Sequence, residues 1–237
     1  MDINSILNNI MGSTGAGIDK AVTSAKSSQI PSGLVGGVAA GGLAALLLSN
    51  KKARKMGTKA LKYGGMAAVG GLAYKAWRDH KAAQAGETLS STPAAAAPKP
   101  PSGSIFDLAQ PSPAASGEDV RLVIVRAMIS AAKADGHIDA DERARIEGKI
   151  HALDLSQDEQ TFLVDQLNAP SDPITIARLA RNEEQSAEIY IASAMAVDSD
   201  TAEEKRYLDR LADALHLPGD LRSRLDAEAS RSIDLVA

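Results

Sequence analysis

From Glu118 onward, apolar side chains return every three or four positions: Leu122, Val125, Met128, Ile129 and Ala132, then Ile146, Ile150 and Leu153, then Phe162, Leu163 and Leu167. This is the period of an α-helix with one buried face. Asp172-Pro173 reads as a helix start, a capping side chain followed by proline at the first helical position. A short helix is expected from there to about residue 181, then helices over 183–197, 202–215 and 219–230. The pattern predicts an all-α bundle of seven helices over 118–237, without a strand.

Inside this stretch the chain repeats itself. Glu142 matches Glu204, Ile146 matches Leu208, Leu153 matches Leu215 and Leu155 matches Leu217, each pair 62 residues apart. Two pseudo-repeated units of helix, acidic loop and helix follow, too few for a solenoid.

Before residue 118 the pattern changes. Residues 1–30 are polar around a short amphipathic start (Ile3, Ile6, Leu7, Ile10). Residues 33–49 carry no charge over 17 positions, the lower limit of a membrane-spanning helix. Gly37 and Gly41 share a face suited to close helix packing. The run comes late and lacks a preceding basic region, so it does not read as a cleavable leader. Lys51, Lys52, Arg54, Lys55, Lys59 and Lys62 then form an acid-free block that favours the cytoplasmic side of a membrane. A second apolar run, 63–77, is interrupted by Lys75; it reads either as an interfacial or buried helix or as the second arm of a glycine-rich hairpin. Residues 82–117, rich in Ala, Pro and Ser, read as a spacer. Within them Ile105, Phe106 and Leu108 form either a stray apolar cluster or a short docking segment. The expected organisation is a polar segment (1–30), a membrane segment of one or two spans (31–81), a linker (82–117) and the helical domain (118–237).

Charge divides along the same line. Residues 1–117 hold 12 basic and 5 acidic side chains, a net +7, and residues 118–237 hold 14 and 25, a net −11. A basic N-terminal half beside apolar runs suits anionic lipid, and an acidic C-terminal half argues against a nucleic-acid partner. The absence of cysteine excludes disulfides, thiolate metal sites and cysteine nucleophiles.

The acidic loops carry the candidate chemistry. Asp135, Gly136, Ile138, Asp139 and Glu142 match the second half of an EF-hand loop, but Ala131 and Lys133 stand where its first two carboxylates belong. Asp139 with Glu142, Thr201 with Glu204 and Ser156 with Glu159 have capping-box spacing, and Gly136 suits a turn with positive φ. Caps leave Asp135, Asp141, Asp198, Asp200 and Glu203 unexplained. If the two loops lie side by side, their carboxylates would attract a divalent cation, with His137 as an extra ligand; the alternative is a capped, solvated acidic face. The candidate metal set is Asp135, Asp139, Glu142, Asp198, Asp200 and Glu204. His151 and His216 fall near helix ends and suit the helix dipole. No nucleophile motif or nucleotide-binding fingerprint occurs, so no catalytic residue is named.

The run from Ala134 to Glu142, with the second acidic loop from Asp198 to Glu204, resembles the TerB-like family of helical domains named for tellurite resistance. With the glycine-rich N-terminal half, the basic block and Arg181-Asn182-Glu183-Glu184 added, the chain is similar to the YebE-type inner-membrane proteins of bacteria. That resemblance implies a seven-helix fold, association with the lipid bilayer and divalent-cation binding at the acidic face. The second loop departs from the family pattern in lacking a glycine at its turn, against a symmetric two-metal site. The expected function is a membrane-anchored, non-enzymatic module in envelope or metal stress, whose acidic loops bind a cation or dock a protein partner on the cytoplasmic side of the inner membrane. The alternatives are a metal-dependent hydrolase and a structural membrane homo-oligomer built on the glycine faces.

Overall fold

The computed structural model describes residues 66–86, 98–136, 140–151, 155–197 and 201–234, together with Ile3 and Ile6. The described residues form eight helices and no strand: α1 (Met66–Gln84), α2 (Val120–Ala132), α3 (Ala140–His151), α4 (Gln157–Asn168), α5 (Pro173–Ala177), α6 (Glu183–Ala196), α7 (Ala202–Ala214) and α8 (Gly219–Asp234). Seven of them follow Glu118, as the apolar period predicts. The short α5 ends at Ala177, earlier than expected, while α8 runs on to Asp234.

Side-chain caps set the starts. Asp119 accepts from the Arg121 amide at 2.9 Å, Asp172 from Ile174 at 3.0 Å, and Asn182 from Gln185 at 2.9 Å. Each satisfies an amide that the first helical turn leaves without a partner. The α4 start is a capping box, in which the Ser156 amide donates to Glu159 at 2.8 Å.

Helix α6 is the axis of the molecule. Every residue from Gln185 to Ala194 is buried, as expected of a helix that is apolar nearly all round. It packs along α2, α1, α8 and α7. Around it Val123, Ile124, Leu163, Leu167, Leu211, Leu221 and Leu225 join one apolar cluster, which also takes in Ile6.

The helical body begins earlier than the sequence period suggests. Helix α1 buries Met66, Val69, Leu72, Ala73 and Ala76 against α6 and α8. It is antiparallel to α8, because Lys75 pairs with Glu228 (2.5 Å) and His80 with Asp220 (2.5 Å). Lys81 adds an ion pair to Glu183 of α6 at 2.8 Å. Residues 66–77, for which the sequence leaves open a buried or interfacial helix and a hairpin arm, are packed against α6 and α8. A face of small and branched apolar residues fills a groove between two helices.

The expected spacer is also corrected in part. Residues 98–119 form a wrap that crosses back over α1. Phe106 is buried between Tyr74 and Trp77, with ring centroids 5.6 and 5.5 Å away, and Leu108 is buried beside Gly70. A β-carbon on Gly70 would collide with the Phe106 carbonyl, so this close approach requires glycine. The wrap continues through hydrogen bonds from Ala115 N to Leu179 O (3.0 Å), Gln185 Nε2 to Pro113 O (2.9 Å) and Val120 N to Ser112 O (2.8 Å). Two large apolar side chains and a few backbone hydrogen bonds hold a segment whose composition alone reads as unstructured. Ile105 stays outward, 38% exposed. Residues 87–97 lie outside the described residues.

Among the described residues no helix is long and apolar enough to cross a membrane. The uncharged run 33–49 and the basic block 51–62 lie outside them.

Candidate functional site

The first acidic loop leaves α2 through a turn built by its own sequence. Ala134 N donates to Ala131 O at 2.9 Å and Gly136 N to Lys133 O at 3.0 Å, and Gly136 adopts φ +70°, the positive value its position in the loop calls for. Lys133, which stands where an EF-hand would carry a carboxylate, donates instead to the Gln166 carbonyl (3.1 Å) and to that of Ala169 at the end of α4. Its cation thereby meets carbonyls that the helix end leaves free. Asp135 is half-buried beside this turn.

In the second loop Thr201 and Glu204 cap α7 reciprocally. The Glu204 amide donates to Thr201 Oγ1 at 3.2 Å and the Thr201 amide to Glu204 Oε2 at 3.3 Å. Glu204 is thus committed to its own helix start. Of the six candidate ligands, Asp135 and Glu204 have described side chains; Asp139, Asp198, Asp200 and the Glu142 side chain lie outside the described residues, as does His137. Among the described residues no group of three or more His, Asp or Glu is placed to hold a metal.

The helices that lead into the two loops nevertheless lie side by side. Gln185 at the start of α6 binds Pro113, whose neighbour Ser112 accepts from Val120 at the start of α2. The two repeat helices therefore begin together, and the acidic turns that follow them leave from the far end. There Tyr207 of α7 donates to Ser130 Oγ of α2 at 2.9 Å, and Ser171 donates to the Ser130 carbonyl at 2.7 Å. Burial pushes the Tyr207 hydroxyl up to about 12, so it stays a donor at physiological pH. This buried polar contact ties the two repeats beneath their loops.

The histidines read near helix ends are found there. His151 closes α3, exposed, with Nδ1 2.9 Å from Gln160 Oε1. His216 takes φ +54° just past α7, where its amide reaches Asp213 O at 3.1 Å and that of Leu217 reaches Ala212 O at 3.1 Å. This is a left-handed helix stop without glycine.

More unusual polar chemistry lies among α1, α6, α7 and α8 and was not singled out from the sequence. His80 is fully buried between Asp220 and Gln84, the latter at 2.8 Å. Its hydrogen bond to Asp220 holds that carboxyl below the usual carboxylate range. Tyr190 donates to Asp226 at 2.8 Å and accepts from Arg222 Nε at 3.1 Å, and Arg222 also binds Asp209, joining α6, α7 and α8. Burial, with the Asp226 charge beside it, holds the Tyr190 hydroxyl in its protonated form. Glu188 of α6 is 0% exposed and neither carboxyl oxygen has a hydrogen-bond partner. Burial raises it well above the carboxyl range, and the Glu184 charge one turn earlier adds to the effect. The signal was present as one acid within Ala187-Glu188-Ile189-Tyr190-Ile191, a run otherwise without charge.

Comparison with solved structures finds no match. An uncharacterised protein encoded in the ampR 5′ region of Yersinia enterocolitica is 33% identical over 105 residues, which is 44% of this chain and 76% of that relative. The family model described as "Protein of unknown function (DUF533)" matches residues 33–229, a span that takes in the uncharged run, the basic block, α1, the wrap and the first two thirds of α8. The chain therefore belongs to the DUF533 family.

Proposed function

We propose that the protein is a membrane-tethered TerB-like docking module of the YebE type, whose helical body sits close against the cytoplasmic face of the bilayer. The observation that carries this reading is the position of α1. It starts at Met66, four residues after Lys62 closes the basic block, and it is built into the body by burial against α6 and α8. A span at 33–49 would then connect to the body through the basic block alone, which suits anionic headgroups. Because residues 66–77 pack inside the body, a single span with the body in the cytoplasm is favoured over a hairpin. The acidic edge, joined beneath its loops by Tyr207 and Ser130, is the docking face for a protein partner, with a divalent cation as an assistant ligand at Asp135 and its neighbours.

Two measurements test this reading. The full chain should resist extraction from bacterial inner membranes by alkaline carbonate, and a fluorescent-protein fusion after Ala237 should be bright while an alkaline phosphatase fusion there is inactive. Release by carbonate, or an active phosphatase fusion, would overturn the placement. For the cation, millimolar calcium, magnesium, manganese or zinc should raise the unfolding temperature of the full chain, since a ligand bound only by the native state stabilises it. An Asp135→Asn, Asp198→Asn double variant should lose that rise.

A further inference from the structure

The outer face of α1 is built from aromatic rings and cations. At about 100° per residue, Ala67, Tyr74, Trp77, Arg78 and Lys81 fall within about 100° of arc, opposite the buried Val69, Leu72 and Ala76. Arg78 stands over the Tyr74 ring, 5.9 Å from its centroid, and Lys81 Nζ stands over the Trp77 ring at 5.6 Å. Phe106 of the wrap packs on both rings, and its neighbour Ile105 is 38% exposed. Tyrosine, tryptophan and an exposed aliphatic side chain with cations laid over the rings suit the boundary between hydrocarbon and lipid headgroups.

The pairing of these cations is weak. Arg78 meets Asp79 and Lys81 meets Glu183, each at 2.8 Å, with 45% and 40% of the two cationic side chains exposed. Solvated pairs of this kind contribute little, so a lipid phosphate can take the place of the acid. Asp79 then keeps a second cation, Lys75, at 3.5 Å. Charge along the chain points the same way. Residues 51–81 hold nine basic side chains and one acid, whereas residues 118–237 carry a net −11. Beside an anionic bilayer this separation turns α1 toward the surface and the acidic helices away from it.

Chain length brings this face to the membrane. Met66 follows Lys62, the last cation of the basic block, by four residues, a reach of at most about 14 Å. From there α1 extends about 28 Å, and its aromatic and basic positions run along it from Tyr74 to Lys81. A helix standing upright on its start would leave those positions unused; one lying flat uses all of them. We infer that α1 lies flat on an anionic phospholipid surface, with Tyr74, Trp77 and Ile105 at headgroup level and Arg78 and Lys81 on lipid phosphates. This contact rests on the membrane-tethered reading and deepens it by naming the face that meets lipid.

Trp77 is the one tryptophan of the chain, so its emission reads the contact directly. The full chain is reconstituted into vesicles of phosphatidylcholine and phosphatidylglycerol whose acyl chains carry bromine, a quencher of indole emission, either near the headgroup or near the chain end. Trp77 should be quenched most by bromine near the headgroup, and less in vesicles without phosphatidylglycerol. Ile105→Asp, and separately Arg78→Gln with Lys81→Gln, should lower the quenching severalfold while far-ultraviolet helicity and flotation with the vesicles stay unchanged. Emission untouched by bromine in a chain that floats with the vesicles leaves the tether standing and sinks the contact. Quenching strongest at the chain end would put α1 inside the bilayer and overturn the flat placement, and quenching kept by either variant would assign the contact to another face. A chain that does not float with the vesicles removes the tether and this contact together.

Discussion

The strap, formed by α1 and the wrap over it, and the acidic edge are held together in opposite ways. On the strap side the contacts are long-range: Lys75 with Glu228, His80 with Asp220, Lys81 with Glu183 and Phe106 between two rings of α1. At the acidic edge the described contacts of the loop residues themselves are local, Thr201 with Glu204 and Gly136 with Lys133, and reach beyond the loop mainly through Lys133 and the Tyr207–Ser130 contact. Local contacts close short loops at little entropic cost, whereas long-range ones must offset the ordering of much chain. The strap should therefore dominate what a mutation can damage, and the edge should tolerate change.

The largest effect tests this contrast by removal. A chain beginning at residue 118 would uncover the surfaces of α6 and α8 that α1 covers, and would take Lys75 from Glu228, Lys81 from Glu183 and His80 from Asp220. It should show helicity without a sharp unfolding transition, and a cooperative transition equal to that of the full chain would show that α1 only decorates the body. Short of removal, Phe106→Ala should lower stability by roughly 3–5 kcal/mol, as deletion of a buried ring in a packed core does. Chemical denaturation of the full chain checks it; a loss below about 1 kcal/mol would mean that the wrap is an ornament.

Next in size is the close approach at Gly70. A valine there meets the Phe106 carbonyl, a backbone atom that cannot rotate away, and overpacking of this kind costs about 1–3 kcal/mol. Gly148, where an added β-carbon meets nothing, is the control on α3: alanine there should be neutral or stabilise by up to about 1 kcal/mol through helix propensity. Thermal melts of the two variants side by side would break the comparison if both behaved alike.

The same contrast explains what the sequence revealed. Apolar period and caps located α2 to α8 and the turns between them, because these signals act over three or four residues. The strap escaped for two reasons. Met66, Ala68, Val69, Leu72, Ala73 and Ala76 on a glycine-rich background are equally suited to lipid and to a helix groove, and only the partner surface, more than a hundred residues away, decides between them. The wrap is legible in Phe106 and Leu108 alone, whose burial depends on α1 being there. At the candidate site the Thr201–Glu204 box and the Gly136 turn were readable as local chemistry. Whether Asp135 faces a partner carboxylate depends on the packing of α2 against α6 and α7, which no short spacing encodes. Glu188 was visible as an acid in an apolar run, but that neither of its oxygens meets a donor is decided by the packing of several helices around α6.

Stability against pH sharpens the comparison further, with effects of intermediate size. Glu188 has its carboxyl raised in the folded chain, so the native state binds more protons than the unfolded state above about pH 4.5. Its stabilising effect is complete below that value and is lost as pH rises through the higher folded value. Asp220 and Asp172 are held low, by hydrogen bonds from His80 and Thr175 respectively, and act in the other direction: their contribution is present above about pH 4 and disappears as pH falls through their lowered values. For these groups the midpoint of denaturation should be highest in mildly acidic solution, near pH 4–5, and decline toward neutrality. Glu188→Gln should flatten the decline on the alkaline side and leave the acid limb unchanged. A parent chain whose stability rises from pH 5 to 8 would show that Glu188 is not governing that limb.

The smallest effect belongs to the acidic edge. Thr201→Ala removes the hydroxyl that accepts from the Glu204 amide, leaves the Glu204 carboxylate on the Thr201 amide, and should cost about 1 kcal/mol, the usual worth of a helix cap. Thr201→Ser keeps the acceptor and should restore most of it. Because the contact closes over three residues and its neighbours are solvated, the loss should appear in denaturant midpoint with no change in the denaturant slope and none in Trp77 emission, which reports the strap. A Thr201→Ala variant that shifted Trp77 emission would couple the two sides through α6 and remove the distinction between a local edge and a long-range strap.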